Sequence, residues 1–261
     1  MKPPVADIEA VRQGTRRVLD AIDDLTDEQA AARSLLPGWS RAEVITHLAR
    51  NADGGRGIAE AAARGEVGLQ YPGGPEQRAA GIAAGRGARA SALLTDLRRS
   101  CDALMESWLA LPDDAWERVG KAIGGQRTQR EWVFSRLREV EVHHVDLDLG
   151  YSPAEWPVAF VTRALEEALT RLPDRSSGRA PAGNGAFRLE ATDHDRAWVV
   201  RLDGATTVES DDAALVSVDG VVSGWGCDLL AWLYGRDPSG AGLTAAGDLS
   251  ALRLPQWFPY P

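Results

Sequence analysis

The fold prediction starts from one segment, residues 128–149, TQREWVFSRLREVEVHHVDLDL. One set of residues recurs in this segment at steps of three and four: Val133, Leu137, Val140, His144 and Leu147. That period belongs to one face of an α-helix. The segment therefore predicts a long helix that packs through this stripe and stops at Gly150.

The residues at the start of the chain predict two more helices. The first has apolar residues at three- and four-residue steps or their sum: Val5, Ile8, Val11, Val18, Ile22 and Leu25. Residues 35–39, LLPGW, interrupt it, and Ser40 then opens a second helix with Glu43 three residues on, the spacing of a capping box. This second helix carries His47 and is expected to end near residues 51–55, NADGG.

The middle of the chain predicts further helices with short connections. A loop at residues 71–75, YPGGP, precedes a third helix that glycines break near Gly85 and Gly87. The helix then continues to residues 111–113, LPD, and another helix follows Trp156 and runs to about Leu172. Four long helices with short connections predict a bundle, whose facing helices commonly build metal sites in the core. Residues 1–173 are expected to form this all-helical domain.

The remainder of the chain has a different composition. Residues 174–185, DRSSGRAPAGNG, are rich in glycine, proline and serine and predict a linker. Phe187 to Thr192 and Trp198 to Leu202 alternate like paired strands, and Thr206 to Glu209 and Leu215 to Val218 can add two more. Val221 to Tyr234 predicts a helix that ends at Gly235. Residues 186–261 are therefore expected to form a small α+β domain.

Composition and charge narrow the class of protein. The 261 residues are 44% hydrophobic and 26% charged, which is typical of globular proteins. The formal net charge of -9 repels phosphate backbones and anionic lipids, so neither nucleic acid nor membrane is expected as a partner. The polar start of the chain and the absence of a long apolar run predict a soluble cytoplasmic protein. The two cysteines, Cys101 and Cys227, are far apart and form no CxxC pair, as is typical of proteins in a reducing compartment.

The histidines offer one candidate metal site. Glu139 and His143 are four residues apart and project from the same helical face, where a carboxylate and an imidazole can share a zinc ion. His47 is the best candidate for a third ligand from another helix, and Asp146 can orient an imidazole.

Other interpretations of these residues stay open from spacing alone. Glu139 and His143 can be a surface pair, and Glu141 with His144, or His144 with Asp148, offers the same spacing. His144 is expected in the core because it lies on the apolar stripe. His194 is expected on the surface of the small domain.

Several long motifs resemble those of mycothiol-dependent maleylpyruvate isomerases, which belong to the DinB-like metalloenzymes. They are residues 36–40, LPGWS, residues 46–53, THLARNAD, residues 71–78, YPGGPEQR, residues 138–147, REVEVHHVDL, and residues 228–236, DLLAWLYGR. The resemblance covers most of the chain. It implies a DinB-like four-helix bundle followed by a small sterol-carrier-like α/β domain.

The resemblance also implies the site residues. The zinc ligands of the family fall at His47, Glu139 and His143, which decides against His144. A C-terminal arginine is functional in the family, and Arg236 is its expected position, with Arg253 as the rival. In the motifs at residues 46–53 and 71–78, Arg50, Gln77 and Arg78 can bind an anionic ligand.

The implied activity is the zinc-dependent conversion of maleylpyruvate to fumarylpyruvate or a close analogue. Neither Cys101 nor Cys227 lies in an electropositive motif, so a low-molecular-weight thiol, mycothiol in the family, is expected to add to the double bond of a small anionic substrate. Two alternatives remain. One is a mycothiol S-transferase that acts on an electrophilic small molecule, and the other is a binding module for an apolar ligand, which a zinc site with an open position disfavours.

Overall fold

A computed structural model describes residues 2–122, 125–173, 184–194, 196–203, 205–210, 217–237, 240–250 and 252. The chain divides into two compact units, Met1–Tyr151 and Ser152–Pro261. The sequence predicts that the helical domain extends to residue 173, whereas the helix after Trp156 lies in the second unit.

The first unit is mainly helical. Its helices are α1 (Val5–Ile22), α2 (Asp27–Ala31), α3 (Arg41–Ala63), α4 (Gly74–Ala83), α5 (Ala90–Leu109) and α6 (Gln129–Asp146). A short antiparallel hairpin, β1 (Val119–Ala122) and β2 (Gly125–Thr128), precedes α6 and was not predicted. Helix α3 packs against α5 and α6, and α1 packs against the same two helices. The four long helices predicted from the sequence therefore share one apolar core.

Capping boxes define where the two site-bearing helices begin. Ser40 accepts a hydrogen bond from the backbone of Glu43, and the Glu43 carboxylate accepts one from the backbone of Ser40 at 3.0 Å. Thr128 and Glu131 make the same reciprocal pair at the start of α6. Each box satisfies backbone donors that a helix start leaves without intrahelical partners. The start predicted at Ser40 is confirmed.

Helix α3 continues past the glycines at which the sequence predicted its end. A Cβ on Gly54 would lie 2.7 Å from the backbone oxygen and the side-chain Cγ of Gln70, and one on Gly55 would lie 3.3 Å from Leu104. These glycines permit close packing rather than ending the helix. They do so although glycine costs roughly 1 kcal/mol relative to alanine in a helix.

In its described residues, the second unit combines a sheet with the α-helices α7 (Val158–Thr170) and α8 (Gly226–Leu233). Its strands are β3 (Gly185–Ala191), β4 (Arg196–Leu202), β5 (Thr206–Ser210), β6 (Gly220–Gly224) and β7 (Leu243–Gly247). In the described residues the sheet order is β5-β4-β3-β6-β7, in which β3 and β6 are parallel and the other neighbours antiparallel. Helix α8 packs against α7, β3 and β6.

Two predictions for the second unit need correction. Residues 221–224, predicted as the start of a helix, form most of strand β6, because Val222 pairs with Leu189 of β3 and with Ala245 of β7. Strand β7 was not predicted at all. The strand expected at Leu215 to Val218 falls partly outside the described residues, as does almost all of the linker at 174–185. No described helix is long and apolar enough to cross a membrane.

Candidate metal centre

Helices α3 and α6 bring together the three residues proposed as metal ligands. His47 Nε2 lies 2.9 Å from Glu139 Oε2, and His143 Nε2 lies 3.3 Å from the same oxygen. The two imidazole rings meet edge to face, with centroids 4.6 Å apart. Within the described part of the chain, this is the group whose ligand atoms, all within 4.8 Å of one another, are placed to hold a metal ion.

The donor set and its spacing fit a zinc ion. Two ligands bound to zinc at about 2.0–2.1 Å with tetrahedral geometry lie about 3.3 Å apart. The two imidazole nitrogens lie at 2.9 Å and 3.3 Å from the Glu139 oxygen, so only small shifts separate this arrangement from ligation. Two nitrogens and one carboxylate oxygen also make up a known catalytic zinc set, which leaves a position open for water or substrate.

Asp146 fixes the orientation of one imidazole. Its Oδ2 lies 2.7 Å from His143 Nδ1, and both side chains are almost fully buried. A carboxylate on one ring nitrogen holds the ring so that the other nitrogen, here Nε2, faces the ligand position. The orienting role expected of Asp146 therefore matches its geometry. The Nδ1 atom of His47 is buried and has no such partner in the described residues.

Burial and mutual hydrogen bonds shift the pKa values of all three groups. Burial lowers the pKa of His47 to about 4, so this imidazole is neutral near pH 7, which is the protonation state that a metal ligand requires. Burial alone would raise the pKa of Glu139, but its hydrogen bonds with His143 and His47 outweigh burial and hold that pKa well below the usual value. Burial also opposes protonation of His143, but the hydrogen bonds to Asp146 and Glu139 outweigh it and raise that pKa.

The cluster is closed on most sides and open at Glu139. The ring of Trp39 packs edge-on against His47, with centroids 5.7 Å apart, a neighbour that helix periodicity did not predict. The His47 and His143 side chains are only 3% and 4% exposed, whereas Glu139 keeps 25% of its side chain exposed. A ligand can therefore reach the cluster past Glu139.

The alternative histidine pairings are engaged elsewhere. His144 is buried, as expected from the apolar stripe, and stacks on Tyr151 with ring centroids 3.9 Å apart. Glu141 accepts hydrogen bonds from Arg17 and from Tyr151. His194 was predicted to lie on the surface, but its side chain is only 12% exposed.

Arg236, the proposed substrate-binding arginine, lies in the second unit just after α8. Its Nη1 donates a hydrogen bond to the backbone oxygen of Tyr234 at 2.9 Å, which holds the guanidinium close to the helix end. The rival, Arg253, lies outside the described residues.

Comparisons with known proteins agree with this architecture. The family model for the mycothiol maleylpyruvate isomerase N-terminal domain matches residues 11–148, and the model for the C-terminal domain of the same family matches residues 155–254. A crystal structure of a mycothiol-dependent maleylpyruvate isomerase matches with a TM-score of 0.77 and 24% identity over 95% of each chain. A mutant of that isomerase matches equally well.

Two other comparisons add little. A sterol carrier protein 2 like 2 from Aedes aegypti covers 38% of this chain and 99% of its own length at 20% identity, but its TM-score of 0.28 is too low to support an argument. No curated protein sequence matches the chain.

A helical unit with this cluster, followed by an α/β unit, defines an enzyme of the maleylpyruvate isomerase class. The chain belongs to the mycothiol maleylpyruvate isomerase family. The fold class predicted from the sequence is confirmed.

Proposed function

We propose that this protein catalyses the zinc- and thiol-dependent cis-trans isomerisation of maleylpyruvate to fumarylpyruvate, or of a close analogue, with His47, Glu139 and His143 as its zinc ligands. The observation that carries the proposal is the convergence of these three donors on one point, with Asp146 behind His143. Membership of the isomerase family supports the choice of reaction.

Different residues would bind the metal, orient a metal ligand and bind the substrate. His47, Glu139 and His143 would bind the metal, and Asp146 would keep His143 Nε2 turned toward it. A zinc ion held there would lower the pKa of a bound thiol or polarise the substrate oxygens. Arg236 would bind a substrate carboxylate, for which a guanidinium offers two parallel N–H donors.

The thiol acts as a nucleophile that is regenerated. Its sulfur forms a bond to one carbon of the double bond, and the electron pair moves onto the conjugated carbonyl. Rotation about the new single bond follows. When the double bond forms again, the carbon–sulfur bond breaks and the thiolate leaves with its electron pair. The substrates are then a small anion and a low-molecular-weight thiol, with mycothiol as the thiol of the family.

A cytosolic location suits this chemistry, because the cytosol keeps thiols reduced. Both cysteines are free, in agreement with such a compartment. Neither nucleic acid nor membrane is proposed as a partner, since the net charge of -9 disfavours both.

Product analysis separates an isomerase from a mycothiol S-transferase. With zinc-loaded protein and mycothiol at about one tenth of the maleylpyruvate concentration, we expect complete conversion to fumarylpyruvate, because each turnover returns the thiol. Mass spectrometry and the absorbance of the product would follow the reaction. A stable thioether, formed one per thiol consumed, would instead establish the transferase. If neither fumarylpyruvate nor a thioether forms, the proposed function is refuted.

The role of Arg236 predicts a selective loss of turnover. Arg236→Ala should lower kcat/KM by about 10- to 150-fold, the effect of about 1.5–3 kcal/mol for a charge-assisted contact, while zinc content and helix signal stay unchanged. Arg196→Ala is the matched control, since Arg196 is exposed and pairs with Glu166 in the same unit. Unchanged kinetics in Arg236→Ala, with a defect in Arg253→Ala, would transfer the role to the rival.

A further inference from the structure

A cavity of about 350 Å³ lies along the face of α3 that carries His47. Arg50, Gly54 and Gly57 follow His47 at helical steps of three, seven and ten residues and therefore share its face. All three line the cavity, together with Tyr71 and Arg78. Its volume is at the small end of the range for ligand pockets.

The two arginines of the cavity differ in their ion pairs. Arg50 is neutralised, since its guanidinium lies 2.6 Å from Asp96 and 3.1 Å from Asp53. Arg78 forms no ion pair with a carboxylate that the structure describes. Arg78 thus brings a positive charge without an acidic partner to the cavity, which it lines together with Arg50.

Tyr71 adds a hydroxyl group that lacks a partner. Its oxygen is buried and makes no hydrogen bond within the described residues. Burial and the charge of Glu139 raise the pKa of Tyr71, and the neighbouring Arg78 guanidinium opposes this rise. Burying a hydroxyl group without a partner costs free energy. A ligand that accepts a hydrogen bond from this hydroxyl would recover that free energy.

Glycines keep the cavity open. A Cβ on Gly57 would have no heavy atom within 4 Å, so the side of α3 that faces the cavity is bare backbone at this position. Gly54, one turn earlier, is packed against Gln70 at the cavity wall. A methyl group at residue 57 would therefore meet no neighbour, and a longer side chain would extend into the cavity that Gly57 lines.

We infer that this cavity is a carboxylate recess of the substrate site, in which Arg78 and Tyr71 hold one anionic end of the substrate beside the His47–Glu139–His143 cluster. The inference rests on the proposed function. Maleylpyruvate carries two carboxylates, so an anion-binding group beside the metal centre has a role. A guanidinium and a phenolic hydroxyl supply donors for two oxygens of one carboxylate.

Binding of maleate, a small cis-dicarboxylate, tests the recess without relying on turnover. Isothermal titration of the zinc-loaded, full-length protein should give saturable binding. Arg78→Met should weaken it by about 10- to 100-fold and Tyr71→Phe by roughly 5- to 10-fold, because each removes a donor to a charged group. Arg78→Lys should recover part of the affinity. Arg64→Met is the control, since Arg64 is exposed and pairs with Glu66 outside the cavity.

A matched pair at Gly57 tests the location. Gly57→Leu should obstruct the cavity and weaken maleate binding by at least about tenfold, whereas Gly57→Ala should retain it, and both should keep the wild-type zinc content and helix signal. Absence of maleate binding to the wild type, equal affinity in Arg78→Met, or unchanged affinity in Gly57→Leu would each overturn the recess. So would loss of zinc from Arg78→Met.

The two proposals fail separately. If maleate binding depends on Arg78 but maleylpyruvate is not isomerised, the recess stands and the proposed reaction is wrong. If isomerisation occurs and maleate binds equally to Arg78→Met, the reaction stands and the recess is wrong.

Discussion

Removing any one of the three proposed ligands should release the metal. The purified protein is expected to hold about one zinc ion per chain, whereas His47→Ala, Glu139→Gln and His143→Ala should each keep less than about a tenth of it after dialysis. Loss of one donor leaves two, too few for a stable site. Glu139→Gln is informative because it preserves the shape of the side chain and removes only the charge. Elemental analysis, with circular dichroism to confirm folding, measures the result.

Two further variants sharpen this prediction. Asp146→Asn should weaken zinc affinity by about 10- to 100-fold without abolishing it, since it acts only through the orientation of His143. His144→Phe should retain full zinc, because the ring can still stack on Tyr151 and the side chain is not a proposed ligand. Full occupancy in His143→Ala, or loss of zinc in His144→Phe, would contradict the assignment.

Turnover should also vanish when no thiol is supplied. The reason is that the protein has no suitable nucleophile of its own. Burial raises the pKa of the Cys101 thiol, although Arg136 opposes the rise, and burial together with Asp228 raises the pKa of Cys227. At neutral pH both remain protonated thiols, which are weak nucleophiles.

The cysteines provide the matched control. A variant with Cys101→Ser and Cys227→Ser should keep kcat/KM within about threefold of wild type when mycothiol is present, since neither thiol is needed. The serine hydroxyl also preserves an acceptor for Arg136, whose Nη2 donates to Cys101 Sγ at 3.3 Å. Isomerisation by the wild type without added thiol would contradict the mechanism, and its loss in the double variant would assign the nucleophile to the protein.

Local patterns in the sequence were enough to predict the helices that carry the cluster. The three- and four-residue steps of α6 place Glu139 and His143 on one face, and the reciprocal pair of Ser40 and Glu43 marks where α3 begins. Spacing alone, however, did not distinguish Glu139 and His143 from Glu141 and His144. That choice depends on the position of His47, 92 residues from Glu139, which periodicity cannot supply.

Errors in the prediction arose where distant contacts override local preference. Gly54 and Gly55 suggest a helix end, but their missing side chains admit Gln70 and Leu104. Residues 243–247, LTAAG, contain little that favours a strand, yet β7 forms because it pairs with β6. The contact of Trp39 with His47 and the buried hydroxyl of Tyr71 are also tertiary features, so no local pattern indicates them.

The distance along the chain between His47 and Glu139 has a consequence for folding. A metal bound to both would tie two helices together across 92 residues, as a reversible cross-link. Because such a ligand set exists only in the folded chain, mass action would stabilise that state by about 4 kcal/mol when free metal is a thousandfold above its dissociation constant. The melting temperature of the helical unit would then rise with the concentration of free zinc around the protein.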